Sequence, residues 1–383
     1  MQVLSPRMNS SVTELLLQLV AIDSTNPELV PGGAGEGEVV RFLAQRLADT
    51  RLTVETWDVR PGRPNLTARL PGSGGGRSLI VCGHTDVVGA EAAGFQPRIE
   101  DGRLYGRGAL DMKGGLAAAV IAAERIAQSG SLRGDLILGF VIDEEWLSEG
   151  AEALAERCRA DGAIFPEPTN LDVVTSHGGF AWYDVLSRGV PAAGIEPDLG
   201  VDAISLLAPF LAGITEIDRA LVATKSEQWG RGSIHASTIG GGEMYPSYPA
   251  ECRLGVERCL VPGELVADAD VEMDRLLAAA TRADTQFDAT WRRIVGREPV
   301  VLDPDEPVVE AVIEAAEAEL GRTVTPRFDI GWLDSGVLNE AGIPSVVFGP
   351  AGHGEHTAEE WVDIESLDTC ARVLEATIRR FCA

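Results

Sequence analysis

The stretch Ser78-Leu79-Ile80-Val81-Cys82-Gly83-His84-Thr85-Asp86 opens on four apolar residues and closes on two groups able to hold a metal or orient a ligand. The apolar run reads as a buried strand that delivers polar side chains to its C-terminal edge. His84 and Asp86 are two residues apart, so in extended backbone both point to one face of the sheet. That pairing suits a metal-ligating imidazole with a carboxylate to orient it. A lone His-x-Asp is weak evidence, because a histidine at a strand end is more often a capped surface residue. The rest of the chain has to decide.

Downstream, Leu104 to Gly115 is a glycine-rich loop with Asp111 near its end, followed by a helix predicted from Leu116 to Ala127. Asp111 can be a helix cap, which does not exclude ligation. A second apolar strand, Asp135 to Ile142, stops at Asp143-Glu144-Glu145, and carboxylates clustered there repel one another unless a cation sits between them. The short strand Ala163 to Phe165 stops at Pro166-Glu167, and Pro344 to Phe348 leads into a glycine-rich loop holding His353 and His356, two of only five histidines. Upstream, Ser11-x-x-Glu14 has the form of a capping box ahead of an apolar helical face. A helix over about Glu38 to Ala48 and extended segments over Leu52–Val59 and Asn65–Leu70 follow. The glycines after Pro71 lack the Gly-Lys-Ser/Thr of a phosphate loop and read as a surface turn. Met1 to Asn9 reads as a loose tail.

At 383 residues the chain is longer than one core usually grows, so two domains are expected. With 59 acidic against 32 basic residues, the net charge of -27 repels phosphate backbones and anionic membranes, which argues against nucleic acid and membrane partners. Six cysteines without framework spacing fit a reducing cytoplasm, and no signal segment or membrane-length apolar run is present. From about Phe180 the pattern changes. Strands Trp182–Ser187, Ser233–Ile239, Glu251–Arg258 and Gln286–Trp291, with helices Asp202–Asp218 and Gly263–Ala280, follow the β-α-β-β-α-β order of a ferredoxin-like α+β module. The helix Pro307–Leu320, the strand Ser345–Phe348 and a closing helix Ile364–Phe381 resume the earlier α/β style. The expected division is therefore a discontinuous domain, 1–179 and 295–383, interrupted by an inserted one at 180–294.

In an open α/β sheet the ligand crevice lies at the carboxyl ends of the strands, where residues distant in sequence meet. His84, Asp111, Glu145, Glu167 and His356 would supply two imidazoles and three carboxylates there, a donor set that suits zinc, with cobalt or manganese as alternatives. Three carboxylates and a hydroxide sum to -4, which two divalent ions cancel. Glu144, beside Glu145, is placed to take a proton from water and return it to a leaving amine.

These motifs resemble the co-catalytic zinc metallopeptidase and deacylase family that includes acetylornithine deacetylase, succinyl-diaminopimelate desuccinylase, aminoacylase and glutamate carboxypeptidase. Gly83-His84-Thr85-Asp86, Tyr105-Gly-Arg-Gly-x-x-Asp111-Met-Lys-Gly-Gly115, Asp143-Glu144-Glu145, Glu167-Pro168-Thr169 and Glu355-His356 match in order over nearly the whole length. The resemblance implies a zinc-dependent exopeptidase-like catalytic domain with a ferredoxin-like lid often used for homodimerisation. It implies one metal on His84 and Glu167, another on Glu145 and His356, a bridging Asp111, an orienting Asp86 and a general base Glu144. It also implies a small amino acid derivative as substrate, an N-acyl amino acid or small peptide.

Three positions depart from that pattern. Ala193 stands where a histidine is usual, Pro246 near a usual asparagine, and Cys259 where an arginine for the substrate carboxylate is expected. Losing one oxyanion donor typically slows acyl transfer about a hundredfold or more. The alternatives to ordinary amide hydrolysis are therefore a repurposed member acting on a specialised metabolite and a non-catalytic binding protein.

Overall fold

The computed structural model describes residues 11–383; the tail expected at Met1 to Asn9 lies outside them. The chain divides into two compact units: residues up to Thr175 with Leu302–Arg327 and Leu333–Ala383 form one, and Ser176–Val301 with Phe328–Trp332 the other.

The first unit is built on a mixed sheet. Thr53–Arg60 and Arg63–Leu70 form an antiparallel pair on one side, and Arg63–Leu70 runs antiparallel to Leu136–Val141. Then come Leu79–His84, Gly162–Phe165 and Ser345–Val347, all parallel to Leu136–Val141. Leu79–His84, Leu136–Val141 and Gly162–Phe165 are buried at every position, as unbroken apolar runs between covering layers should be. Helices Val12–Val20, Gly37–Ala48, Lys113–Ser129, Pro307–Leu320 and Ile364–Phe381 add to one continuous apolar core. Ser11 caps the first of them, its hydroxyl accepting from Glu14 N–H while the Glu14 carboxylate accepts from Ser11 N–H.

Because four strands run in parallel, their carboxyl ends share one edge. In register, His84 lies opposite Val141, so the Asp143-Glu144-Glu145 turn begins two residues past it. Two glycines fix the neighbouring Pro166-Glu167 segment. A Cβ on Gly115 would stand 1.9 Å from the Pro166 carbonyl oxygen and one on Gly349 2.0 Å from that of Glu167, so a side chain at either place would push the Glu167 backbone away. The helix after Asp111 starts at Lys113, earlier than its apolar pattern suggests, and Met112 rather than Asp111 is its cap residue.

The second unit is a four-stranded antiparallel sheet in the order Ser233–Gly241, Glu251–Leu260, Gly179–Arg188, Ala289–Arg297. By sequence this is second, third, first, fourth, the arrangement of a ferredoxin-like module. Both helices, Ala208–Val222 and Val266–Ala283, pack with Ala181, Tyr183, Val185, Leu254 and Val256 into one core, so they cover a single face. Two expected boundaries shift. The first helix begins at Ala208 because Asp202 accepts from Ile204 N–H, Ser205 N–H and the Ser205 hydroxyl, closing a separate tight turn before Pro209 opens the helix. The last strand runs Ala289–Arg297 because its arginine-rich residues carry little apolar signal, yet pair along Gly179–Arg188. No helix of the described residues is long and apolar enough to cross a membrane.

Candidate active site

The carboxyl edge of the parallel strands gathers the five side chains singled out from the sequence into two groups that share Asp111: His84, Asp111 and Glu167, and Asp111, Glu145 and His356, with ligand atoms within 4.8 Å of one another in each. The two oxygens of Asp111 face different imidazoles. His84 Nε2 lies 3.1 Å from Oδ1, and His356 Nε2 lies 3.1 Å from Oδ2 and 3.0 Å from Glu145 Oε2. Glu167 Oε1 is 3.8 Å from His84 Nε2. Two ligands on a tetrahedral zinc-sized ion stand about 3.3 Å apart, so these spacings are those of donor atoms ready to share a cation.

His84 is aimed from behind. Its Nδ1 donates to the backbone carbonyl of Asp86 at 3.0 Å and lies 3.6 Å from Asp86 Oδ1. The carbonyl can only accept, so Nδ1 carries a proton and Nε2 is the ring nitrogen turned to the carboxylates. The same Asp86 accepts from the N–H groups of Glu144 and Glu145, both at 3.2 Å, and so holds the turn that carries them. Asp143 and His356 both adopt left-handed backbone, φ 70° and 60°, which costs a non-glycine residue of order 1 kcal/mol.

The electrostatics are those of a cavity short of positive charge. Burial pushes Glu144 and Glu167 well above the usual carboxylate range. Burial would also raise Asp111, but hydrogen bonds from His356 and His84 hold it below. His356 is raised to about 10 by its hydrogen bonds to Asp111 and Glu145. Among the described residues no hydrogen bond reaches the buried Glu167 Oε1. An orphaned buried carboxylate oxygen beside an imidazole fits a divalent ion, since burying it unpaired and charged is costly.

Residues 80–380 match the description of Peptidase family M20/M25/M40. The chain belongs to that family. It is 27% identical to the N-formyl-4-amino-5-aminomethyl-2-methylpyrimidine deformylase of Bacillus subtilis (strain 168), with 97% of this chain and 95% of that protein covered. It is 29% identical to the acetylornithine deacetylase of Myxococcus xanthus, covering 98% of each. The fold is shared with the Bacillus subtilis YXEP protein, described as a dinuclear metal-binding peptidase of the M20 family, at a TM-score of 0.70 and 15% identity over 97% of this chain and 98% of that one. As a member of the M20/M25/M40 family the protein is an enzyme, a hydrolase of the metallopeptidase type, as the motifs led us to expect.

Around the M20 motifs stand residues that the sequence did not single out. Asn26 Nδ2 donates to Asp86 Oδ2 at 2.8 Å and to Asp143 Oδ1 at 3.1 Å, clamping the two carboxylates behind the site. Arg63 Nη2 donates to Asp143 at 3.0 Å and to the buried Glu36 at 2.6 Å. Glu360 accepts from the N–H groups of Gly108, Leu110 and Asp111 at 2.9, 2.9 and 3.0 Å, and from Arg107 at 2.5 Å. Asn26 and Glu360 lie in turns without periodic pattern, and only their distance from the motifs' strands disguised them. The Glu360 arrangement fixes the loop that presents Asp111. Replacing Glu360 with Ala leaves three buried N–H groups without an acceptor, each worth roughly 1–3 kcal/mol, so a loss of about 3 kcal/mol in denaturant unfolding is expected. Metal affinity should fall about 10–100-fold in titration.

In the second unit, two of the departing positions are neighbours. Ala193 bridges to Ser247, and Gly194 N–H donates to the Pro246 carbonyl at 2.8 Å. Cys259 lies on the strand Glu251–Leu260 opposite Ser233 and Phe180. Arg258 cannot replace the expected arginine, because it points to the other face and is held by Glu264 and Glu272, both at 2.9 Å.

Proposed function

We propose that the protein is a dinuclear zinc amidase that removes an acyl group from an amine, with His84 and Glu167 holding one ion, Glu145 and His356 the other, and Asp111 bridging. The observation that carries this reading is the two-sided use of Asp111, whose oxygens each stand 3.1 Å from a different imidazole. Bound there, the ions would supply Lewis acidity, making a water acidic near neutral pH and polarising the substrate carbonyl. Glu144 is partly buried, with His84 Nε2 3.9 Å from its carboxylate and its backbone fixed by Asp86. Its raised affinity for a proton lets it accept one from the attacking water and pass it to the departing nitrogen. Asp86 keeps the His84 proton on Nδ1 throughout. A homodimer through the second unit and a reducing cytoplasm belong to the same reading; all six cysteines being free supports the latter.

The relatives named above act on N-acyl and N-formyl amines, which supports amide cleavage as the reaction. A second reading, a member that works on a specialised amine rather than an amino acid, is supported by Ala193, Pro246 and Cys259 standing where groups for an oxyanion and a carboxylate are expected. The test is a panel of N-acetylornithine, N-succinyl-diaminopimelate, dipeptides and the N-formyl aminopyrimidine, assayed by release of free amine with zinc, with chelator, and with zinc restored. Chelator-sensitive turnover of at least one compound is expected. Amine release that chelation leaves unchanged would sink the metal reading, and turnover confined to the pyrimidine would decide for the specialised one.

A further inference from the structure

The helix-free face of the second unit's sheet carries a set of groups that the amide-hydrolase reading leaves unused. Cross-strand register places His235, Glu257 and Trp182 side by side in one row, and Cys259 and Phe180 in the next. The alternating burial of Gly179–Arg188 and Glu251–Leu260 turns these side chains away from the helices. Phe180 and Trp182 lie tilted against each other with centroids 4.9 Å apart, and Trp332 meets Phe180 edge-on at 5.7 Å.

Charge on this face is unevenly paired. Asp184, further along, is taken up by Arg292 at 2.8 Å and Arg253 at 3.9 Å. Glu257 has no arginine or lysine partner among the described residues. Its Oε1 accepts from the Trp182 indole N–H at 2.8 Å, and its Oε2 lies 3.5 Å from His235 Nε2. The Glu257 side chain is 27% exposed and that of His235 54%. The Arg297 guanidinium stands over the Trp332 ring, 5.4 Å from its centroid. Cys259 adds no cation. A carboxylate without a strong counter-charge, standing against an aromatic wall, offers a flat cation both an ion pair and a π face. It offers a carboxylate only repulsion.

We propose that this face is a binding surface for a small planar nitrogen cation, a protonated aminoheterocycle or an arylmethylammonium, with Glu257 pairing the charge and Trp182 and Phe180 packing the ring. The inference deepens the specialised-amine reading, on which its choice of ligand rests, and does not depend on the metal chemistry. The experiment is calorimetric titration of the full chain, with and without added zinc, using 4-amino-5-aminomethyl-2-methylpyrimidine, which has no bond to hydrolyse, with benzoate as the anionic comparator. The wild-type protein should bind the pyrimidine at least tenfold more tightly than benzoate. Glu257→Gln should weaken it at least tenfold and Trp182→Phe severalfold, with thermal melting unchanged in both. Binding that survives Glu257→Gln, benzoate binding as well as the pyrimidine, or no saturation of the wild type at millimolar probe would each overturn the assignment. A chain that fails to hydrolyse every amide tried can still pass this test, and a working hydrolase can fail it.

Discussion

Glu144→Gln should cut kcat by about a thousandfold, within the range of 10² to 10⁴ that a positioned proton carrier contributes, while leaving the metal content of the protein unchanged. Glutamine keeps the shape and the backbone N–H that Asp86 holds at 3.2 Å, so the turn carrying Glu145 should stay in place. What disappears is a carboxylate that burial pushes well above the usual range, the direction that favours holding a proton taken from water. The measurement is steady-state turnover beside metal analysis of the same sample. Turnover within a few-fold of wild type, with metal retained, would mean that the proton travels by another group.

Asp111→Asn should act on the ions themselves. Both carboxylate oxygens are engaged, one toward each imidazole, and an amide can present only one oxygen as a donor atom. Metal analysis should therefore fall from two ions per chain to one or fewer. If that loss removes about 3–6 kcal/mol of transition-state stabilisation, turnover drops roughly 10² to 10⁴-fold. Glu145→Gln, which touches only the group containing His356, should lose less metal than Asp111→Asn does. Two ions retained by Asp111→Asn would refute the bridging role.

How much of this was readable from residues alone depends on the kind of signal each carried. The strands ending at His84, at the Asp143 turn and at Glu167 were legible because unbroken apolar runs stop abruptly at chemistry-bearing side chains, and the five side chains so marked do stand in two groups around Asp111. The closing helix Ile364–Phe381 and the helix Pro307–Leu320 matched residue for residue, since both are strongly periodic. Asn26 was not legible as part of the site, because its bonds to Asp86 and Asp143 span 60 and 117 residues. Glu360 was hidden for the same reason, reaching back about 250 residues to hold the Asp111 loop. Contacts of that span leave no local pattern. The boundaries at Ala208 and Ala289 moved because a capped turn and a pairing partner, rather than hydrophobic period, set them.

The split of the first unit by an inserted module bears on how the protein is made. Glu167 leaves the ribosome roughly 190 residues before His356, which at typical elongation speeds is a wait of about ten to forty seconds. Through that interval the nascent chain holds one complete group of donors and all but His356 of the other, so the two ions have unequal opportunities to enter. Loading in vivo should then follow the order of synthesis, with the second cation arriving only once the tail of the polypeptide is free to fold back.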